Sequence, residues 1–179
     1  LDQNAVTDYF KKNKPDFVIH LAAKVGGIQA NINEPVEFYT HNNLMNTFVI
    51  MSAVFSGVKY FINMGTSCMY PKDREMLSEG DLLTGKLEPT NEGYAIAKVS
   101  RALLCEYVSR QLGYYYKTLI PCNLYGPHDN FDPIKSHMIP AAIRKIHEAE
   151  HNKVTNVSIW GDGLSRREFM YVGDLVDFI

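Results

Sequence analysis

The chain contains no apolar run near the ~20 residues that a membrane-crossing helix requires, so no segment reads as a membrane span. It has no dense cluster of lysine or arginine, and a net charge of -2 offers no general attraction to nucleic acid or to an anionic lipid surface. No partner of either kind is expected. Cysteine is scarce: Cys68, Cys105 and Cys122 are an odd count, with no close pair and no metal-like spacing. Neither a disulfide framework nor a metal site is therefore expected, and a reducing, cytoplasmic setting fits best. The N-terminus lacks the basic-then-apolar order of a signal peptide, and there is no repeat or low-complexity stretch. Also missing is the Gly-x-Gly-x-x-Gly turn that opens a doubly wound nucleotide-binding sheet; Gly26-Gly27 follows the wrong strand at the wrong spacing. Both ends accordingly read as cut.

What is present is ordinary globular material. Hydrophobic residues make up 46% and charged residues 21% of 179, enough for one domain with a full core. A helix is expected over residues 4–12, with Val6, Tyr9 and Phe10 on one side and Pro15 stopping it. Residues 17–23, Phe-Val-Ile-His-Leu-Ala-Ala, suit a strand buried on both faces of a parallel sheet. Pro35 opens a helix with Leu44, Phe48, Met51 and Phe55 as its apolar stripe, and Gly57 ends it. Residues 60–64 form a second strand that runs into Gly65-Thr66-Ser67-Cys68. Strand, helix, strand makes a βαβ unit, so the fold class is α/β.

A long polar loop over 70–91 leads to a helix in which Thr90 or Asn91 is the expected cap and Ile96, Val99, Leu103 and Tyr107 the core face, ending towards Gly113. A third strand is expected over 114–121, a turn over 123–127, a helix from about 138 to 150, a half-exposed strand over 154–160, a short strand near 167–171 and a helix from 172. In an open parallel sheet ligands gather beyond the C-terminal strand ends, which places Ala23-Lys24, Thr66-Ser67-Cys68 and Cys122-Asn123 at one crevice.

Several residues there could carry chemistry. Tyr94 and Lys98, four apart on a helix, share a face, and a cation beside a phenol eases transfer of its proton. A surface pair has the same spacing. Thr66 and Ser67 either donate to a substrate carbonyl or simply end a strand. Cys68 is a buried filler or a thiolate base. His137 is a general acid at a helix entrance, or a cap, or solvent-facing. Arg167 clamps a diphosphate or belongs to an exposed arginine pair with Arg166. Trp160, the only tryptophan, is either core or a platform for base stacking.

The joint pattern is more specific than any one motif. Residues 88–98, Glu-Pro-Thr-Asn-Glu-Gly-Tyr-Ala-Ile-Ala-Lys, together with 65–72, 121–131, 136–140 and 160–169, resemble the extended short-chain dehydrogenase/reductases. Within them the chain looks most like the GDP-L-fucose synthase family of epimerase/reductases. That resemblance implies a Rossmann-like doubly wound parallel sheet lacking its N-terminal strands, with part of a smaller substrate domain. The division would fall at 1–125 and 126–179, the chain crossing back near 165–179. It implies NADPH-dependent epimerisation at C3 and C5 and reduction at C4 of a GDP-4-keto-6-deoxy sugar.

By position, Tyr94 would be the proton donor and Lys98 would hold the nicotinamide ribose and lower the tyrosine pKa. Thr66 and Ser67 would line the carbonyl, and Cys68 and His137 would be the epimerising base and acid. Ala22, Ala23, Lys24, Pro121, Asn123, Leu124 and His137 would lie along NADP(H). Asn123, Met138, Lys145, Trp160 and Arg167 would bind the GDP-sugar, and the helices near 35–55 and 94–112 would pair two copies as a homodimer. Two positions depart from the family habit: Thr66 stands in place of serine and Lys145 in place of arginine. These leave room for a related sugar such as a 4-keto-6-deoxyheptose, with or without epimerase activity. A 4-epimerase or dehydratase, or a catalytically silent fragment, are the other readings.

Overall fold

The computed structural model describes residues 1–133, 136–159 and 161–179. They form two compact units, Leu1–Ile120 and Pro121–Ile179.

The first unit is built on a parallel sheet of order β1-β2-β3, with β1 Phe17–His20, β2 Tyr60–Met64 and β3 Tyr115–Leu119. Its helices are α1 Gln3–Asn13, α2 Ile28–Asn33, α3 Pro35–Phe55 and α4 Glu92–Leu112. The βαβ reading of 17–64 holds, since β1 and β2 pair in parallel. Punctuation in the sequence sets the ends: Pro35 is the first residue of α3, and Gly113 closes α4 at φ 70°, a conformation that costs a residue without Cβ little. Short 3-10 turns at Ser67–Met69, Glu79–Asp81 and Pro89–Asn91 interrupt the long loop.

One sheet face carries the core. Val18, Phe61 and Tyr116 lie side by side in register, and Phe61 and Tyr116 stack with centroids 4.9 Å apart. Phe10 of α1, Ile50 and Ala53 of α3, and Cys105 and Val108 of α4 close over them. Tyr9, expected beside Phe10, is exposed. The opposite face is open: Phe17 is 46% and Ile19 44% exposed, so β1 is not buried on both sides, and it stops at His20 rather than running to Ala23. The reason is that α1, α3 and α4 all pack on the Phe61 side.

Helix faces depart most from expectation. In α3 the buried stripe is Phe38, Asn42, Asn46, Ile50 and Ala53, whereas Leu44 and Phe55 are exposed. In α4 the buried residues include Lys98, Val99, Arg101, Cys105 and Val108, so Val99 of the expected face is buried while Ile96 and Tyr107 are exposed. Both helices bury polar side chains because those side chains bond to strand-end backbone or to one another, as described below.

In the second unit β4 Asn123–Tyr125 pairs in parallel with β5 Phe169–Tyr171, so residues 123–125 are strand and not turn. Asn123 supports the pairing by donating both its backbone N–H and its Nδ2 to the Glu168 carbonyl. Helices α5 Met138–His151 and α6 Val172–Phe178 complete it. Residues 154–159 form no strand and are exposed; among the described residues no neighbouring strand pairs with them. No helix among the described residues is long and apolar enough to cross a membrane.

Packing of this kind predicts a sharp contrast between two aromatic truncations. Phe61→Ala, at a side chain with 0% exposure, should lose roughly 3–5 kcal/mol in urea unfolding. Tyr9→Ala, at 62% exposure, should lose less than about 1 kcal/mol, and equal losses would place the core elsewhere.

Candidate active site

The site grows from the end of β2. Gly65 continues the ladder by donating to the Leu119 carbonyl at 2.7 Å. A Cβ there would lie 3.0 Å from both that oxygen and Met69 Sδ, so glycine lets the strand end sit this close to β3. The chain then turns sharply through Ser67–Met69, anchored by Met69 at 0% exposure. Thr66 stands at the N-cap of this turn, its hydroxyl accepting from Cys68 N at 3.5 Å. Thr66, Ser67 and Cys68 are half-buried.

The turn faces the first half of α4. Lys98 is buried and donates from Nζ to the Met64 carbonyl at 3.0 Å. Its ammonium also lies 5.5 Å from the centre of the Tyr94 ring, over the face and not at the hydroxyl. On its other side Tyr94 meets the edge of Phe38 at 6.5 Å, and Lys24 covers Phe38 at 5.0 Å. The shared face expected of Tyr94 and Lys98 is thus observed, with the ammonium over the tyrosine ring.

A second cation, Arg101, was not anticipated. It is 1% exposed, donates from Nη2 to the same Met64 carbonyl, and from Nη1 to Asn46 Oδ1 at 3.1 Å and to the Ala22 carbonyl at 3.4 Å. One guanidinium therefore ties the ends of β1 and β2 to α3. Asn46 Oδ1 also lies 3.2 Å from His20 Nε2. Next to it, Asn42 clamps the loop after β1 at both groups of one residue: Lys24 N donates to its Oδ1 at 2.9 Å, and its Nδ2 donates to Lys24 O at 3.0 Å. That clamp fixes Ala22, Ala23 and Lys24 at the strand end. The Lys24 side chain is held by Glu34 at 2.7 Å. The one sequence signal for these residues was their spacing, Phe38, Asn42, Asn46 and Ile50 recurring every four positions.

Electrostatics follow from burying cations together. Burial, and after it the neighbouring Arg101, pushes Lys98 down to about 7, while Cys68 acts the other way. Arg101 is itself lowered to about 10, chiefly by burial, and keeps its charge at neutral pH. His20 falls to about 4 through burial first and Arg101 second, so its imidazole is neutral. Tyr94 rises to about 12, from burial first and Cys68 second, with Arg101 opposing. The expected lowering of the phenol by Lys98 is not what is seen. The hydroxyl is too buried, and the cation that favours its ionisation is Arg101.

The second unit carries the remaining predicted residues. His137 is the N-cap of α5, makes no side-chain cap bond and is exposed, as is Met138. Pro121 and Leu124 are half-buried and Asn123 is exposed at the start of the unit. Lys145 donates to the Ser158 carbonyl at 2.9 Å and lines an open hollow of about 390 Å³ with Glu148, Asn152 and Val157. Arg167 is exposed and donates to the Arg166 carbonyl. Trp160 lies outside the described residues.

Comparison with known proteins places this geometry. The family model for the NAD dependent epimerase/dehydratase family matches residues 1–179. The chain is 52% identical over 181 residues to GDP-L-colitose synthase of Yersinia pseudotuberculosis, covering 100% of this chain and 59% of that protein. It is 49% identical over 176 residues to GDP-L-fucose synthase of Azorhizobium caulinodans, covering 98% and 56%. Among solved structures it resembles MlghC, the GDP-mannoheptose C4 reductase of Campylobacter jejuni with NADP bound, with a TM-score of 0.88 and 31% identity over 99% of this chain and 61% of that one. The chain thus spans somewhat more than half the length of these proteins. Matched from end to end by the family model and carrying its Rossmann-like parallel sheet, the chain belongs to the NAD dependent epimerase/dehydratase family.

Proposed function

We propose that the protein epimerises C3 and C5 and reduces C4 of a GDP-4-keto-6-deoxy sugar with NADPH. The observation that carries this reading is the meeting, in one unit, of a turn bearing two hydroxyls and a thiol with a helix face bearing a half-buried tyrosine and a buried lysine. The likeness to GDP-sugar synthases supports the substrate class, and the NADP-bound reductase supports the cofactor.

The residues at the strand ends fit a nicotinamide ribose. Lys98 gives one N–H to Met64 O and, as ammonium or as amine, keeps at least one more donor for ribose hydroxyls. Ala22 and Ala23 are small enough for close approach, on a loop held by Asn42. When bound, NADPH supplies the hydride for C4. The ketone at C4 acidifies the protons on C3 and C5, so a single carbonyl serves both halves of the chemistry. The Cys68 thiolate takes a proton from the carbon, whose electron pair moves to the C4 oxygen as an enolate. His137 returns a proton to that carbon. Thr66 and Ser67 donate to the carbonyl, stabilising that oxyanion. Tyr94, held protonated by burial, gives its proton to the C4 oxygen during reduction.

The hollow beside Lys145 is of the size that small-ligand sites occupy and serves the GDP moiety together with Met138, Trp160, Asn123 and Arg167. Pro121, Leu124 and His137 lie along the cofactor. The first unit is the cofactor-binding part and the second the substrate-binding part. The apolar side chains that α3 and α4 leave exposed, Tyr39, Leu44, Phe55, Ile96 and Tyr107, support a homodimer through these helices. Three free cysteines support a cytoplasmic setting. A second reading, a reductase for another GDP sugar such as a heptose, is favoured by Lys145, because a lysine lacks the bidentate fork of arginine at a phosphate.

Incubation with GDP-4-keto-6-deoxymannose and NADPH in deuterated water should yield reduced product with deuterium at C3 and C5. Product without deuterium would remove the epimerase half, and no NADPH oxidation would remove both. Tyr94→Phe should cut the reduction rate by about 10²–10⁴-fold, the range for loss of a positioned acid, with little change in KM. Lys98 gives a pH prediction as well. Unfolded it titrates near 10.5 and folded near 7, so between these values the unfolded chain binds more protons and stability rises with pH. Denaturant unfolding should show a rise approaching ~1.4 kcal/mol per pH unit in that window, absent in Lys98→Met.

A further inference from the structure

Asn91 occupies the N-cap of α4, where an asparagine ordinarily turns its side-chain oxygen onto the first free backbone N–H groups of the helix. Here it makes no such bond. Its Nδ2 instead donates to Cys68 Sγ at 3.3 Å, across 23 residues of sequence. The backbone that aims it is fixed locally: Pro89 sets the 3-10 turn, Asn91 N donates to the Glu88 carbonyl at 3.2 Å, and the Glu88 carboxylate accepts from both Thr90 N and Thr90 Oγ1. The Oδ1 atom is buried without a partner. A purely structural asparagine would cap the helix and satisfy that oxygen, which costs stability when left unpaired. The side chain forgoes both and points its donor at the sulfur.

We propose that Asn91 is a positioning residue for Cys68, holding the sulfur in place and stabilising its thiolate through the amide N–H. The inference rests on the reading of Cys68 as the base at C3 and C5. An N–H donor favours an anionic acceptor over a neutral one, and the thiolate is the form that accepts a proton from carbon. Tyr94 and Lys98, which interact electrostatically with Cys68, both titrate, whereas the amide is a fixed donor that does not.

The test uses iodoacetamide on the intact protein at pH 7, with alkylation followed at each cysteine by peptide mass spectrometry. Asn91→Ser keeps a residue suited to a helix start but removes the donor from reach. Cys68 should react at least about tenfold more slowly in this variant, the loss expected for a charge-assisted hydrogen bond, while Cys122 reacts at its wild-type rate. Asn91→Asp, of the same shape, replaces the donor with a negative charge and should slow Cys68 further, which keeps the question open to measurement if the serine variant fails to fold. Solvent deuterium uptake into GDP-4-keto-6-deoxymannose without NADPH should fall in step. Alkylation of Cys68 at the wild-type rate in whichever variants fold overturns the inference. Absence of deuterium uptake by the wild-type protein removes the epimerase reading beneath it, whatever the alkylation shows.

Discussion

The Met64 carbonyl, at the last residue of β2, is the point on which the first unit turns. It accepts from Lys98 and from Arg101, two buried cations one turn apart on α4. A single neutral acceptor cannot neutralise two charges, so the charges work against each other. Arginine keeps its proton and lysine is pushed towards losing its own. The same guanidinium reaches Ala22 O and Asn46, which joins the strand ends lining the crevice to the two helices behind them. The contacts that fix position here also set Arg101 beside Lys98, adding its charge to the burial that lowers the lysine first.

That arrangement explains what could and could not be read in the sequence. Strand and helix limits were legible because Pro35, Gly57 and Gly113 punctuate them, and because Tyr60–Met64 is a nearly unbroken apolar run. The helix faces were not. Hydrophobic periodicity seeks apolar residues turned inward, but α3 buries Asn42 and Asn46 and α4 buries Lys98 and Arg101. Asn42, Lys98 and Arg101 meet backbone groups far away in sequence and Asn46 meets the side chains of His20 and Arg101, and no local pattern records such partners. The apolar residues displaced from the core, Leu44, Phe55, Ile96 and Tyr107, remain exposed.

For the site, Tyr94, Lys98 and the Thr66–Cys68 turn were legible from spacing and from their place at a strand end. Lys98 was expected to act on the tyrosine hydroxyl, yet its ammonium lies over the ring and its protonation is set first by burial and then by Arg101. Asn91, one of two candidate caps, does occupy the N-cap of α4, but its side chain bonds Cys68 and not the helix. In both cases the residue type was read correctly while its partner came from the tertiary fold. The smaller unit follows the same rule: residues 123–125 look like a turn until β5 arrives to pair with them.

The most direct test of this account is an NMR titration of the Lys98 side chain in the intact protein. Burial of Lys98 beside a second cation at one carbonyl predicts a midpoint near 7, moving part of the way upward when Arg101→Met removes the competing charge. A Lys98 that stays protonated beyond pH 9 with Arg101 in place would contradict it.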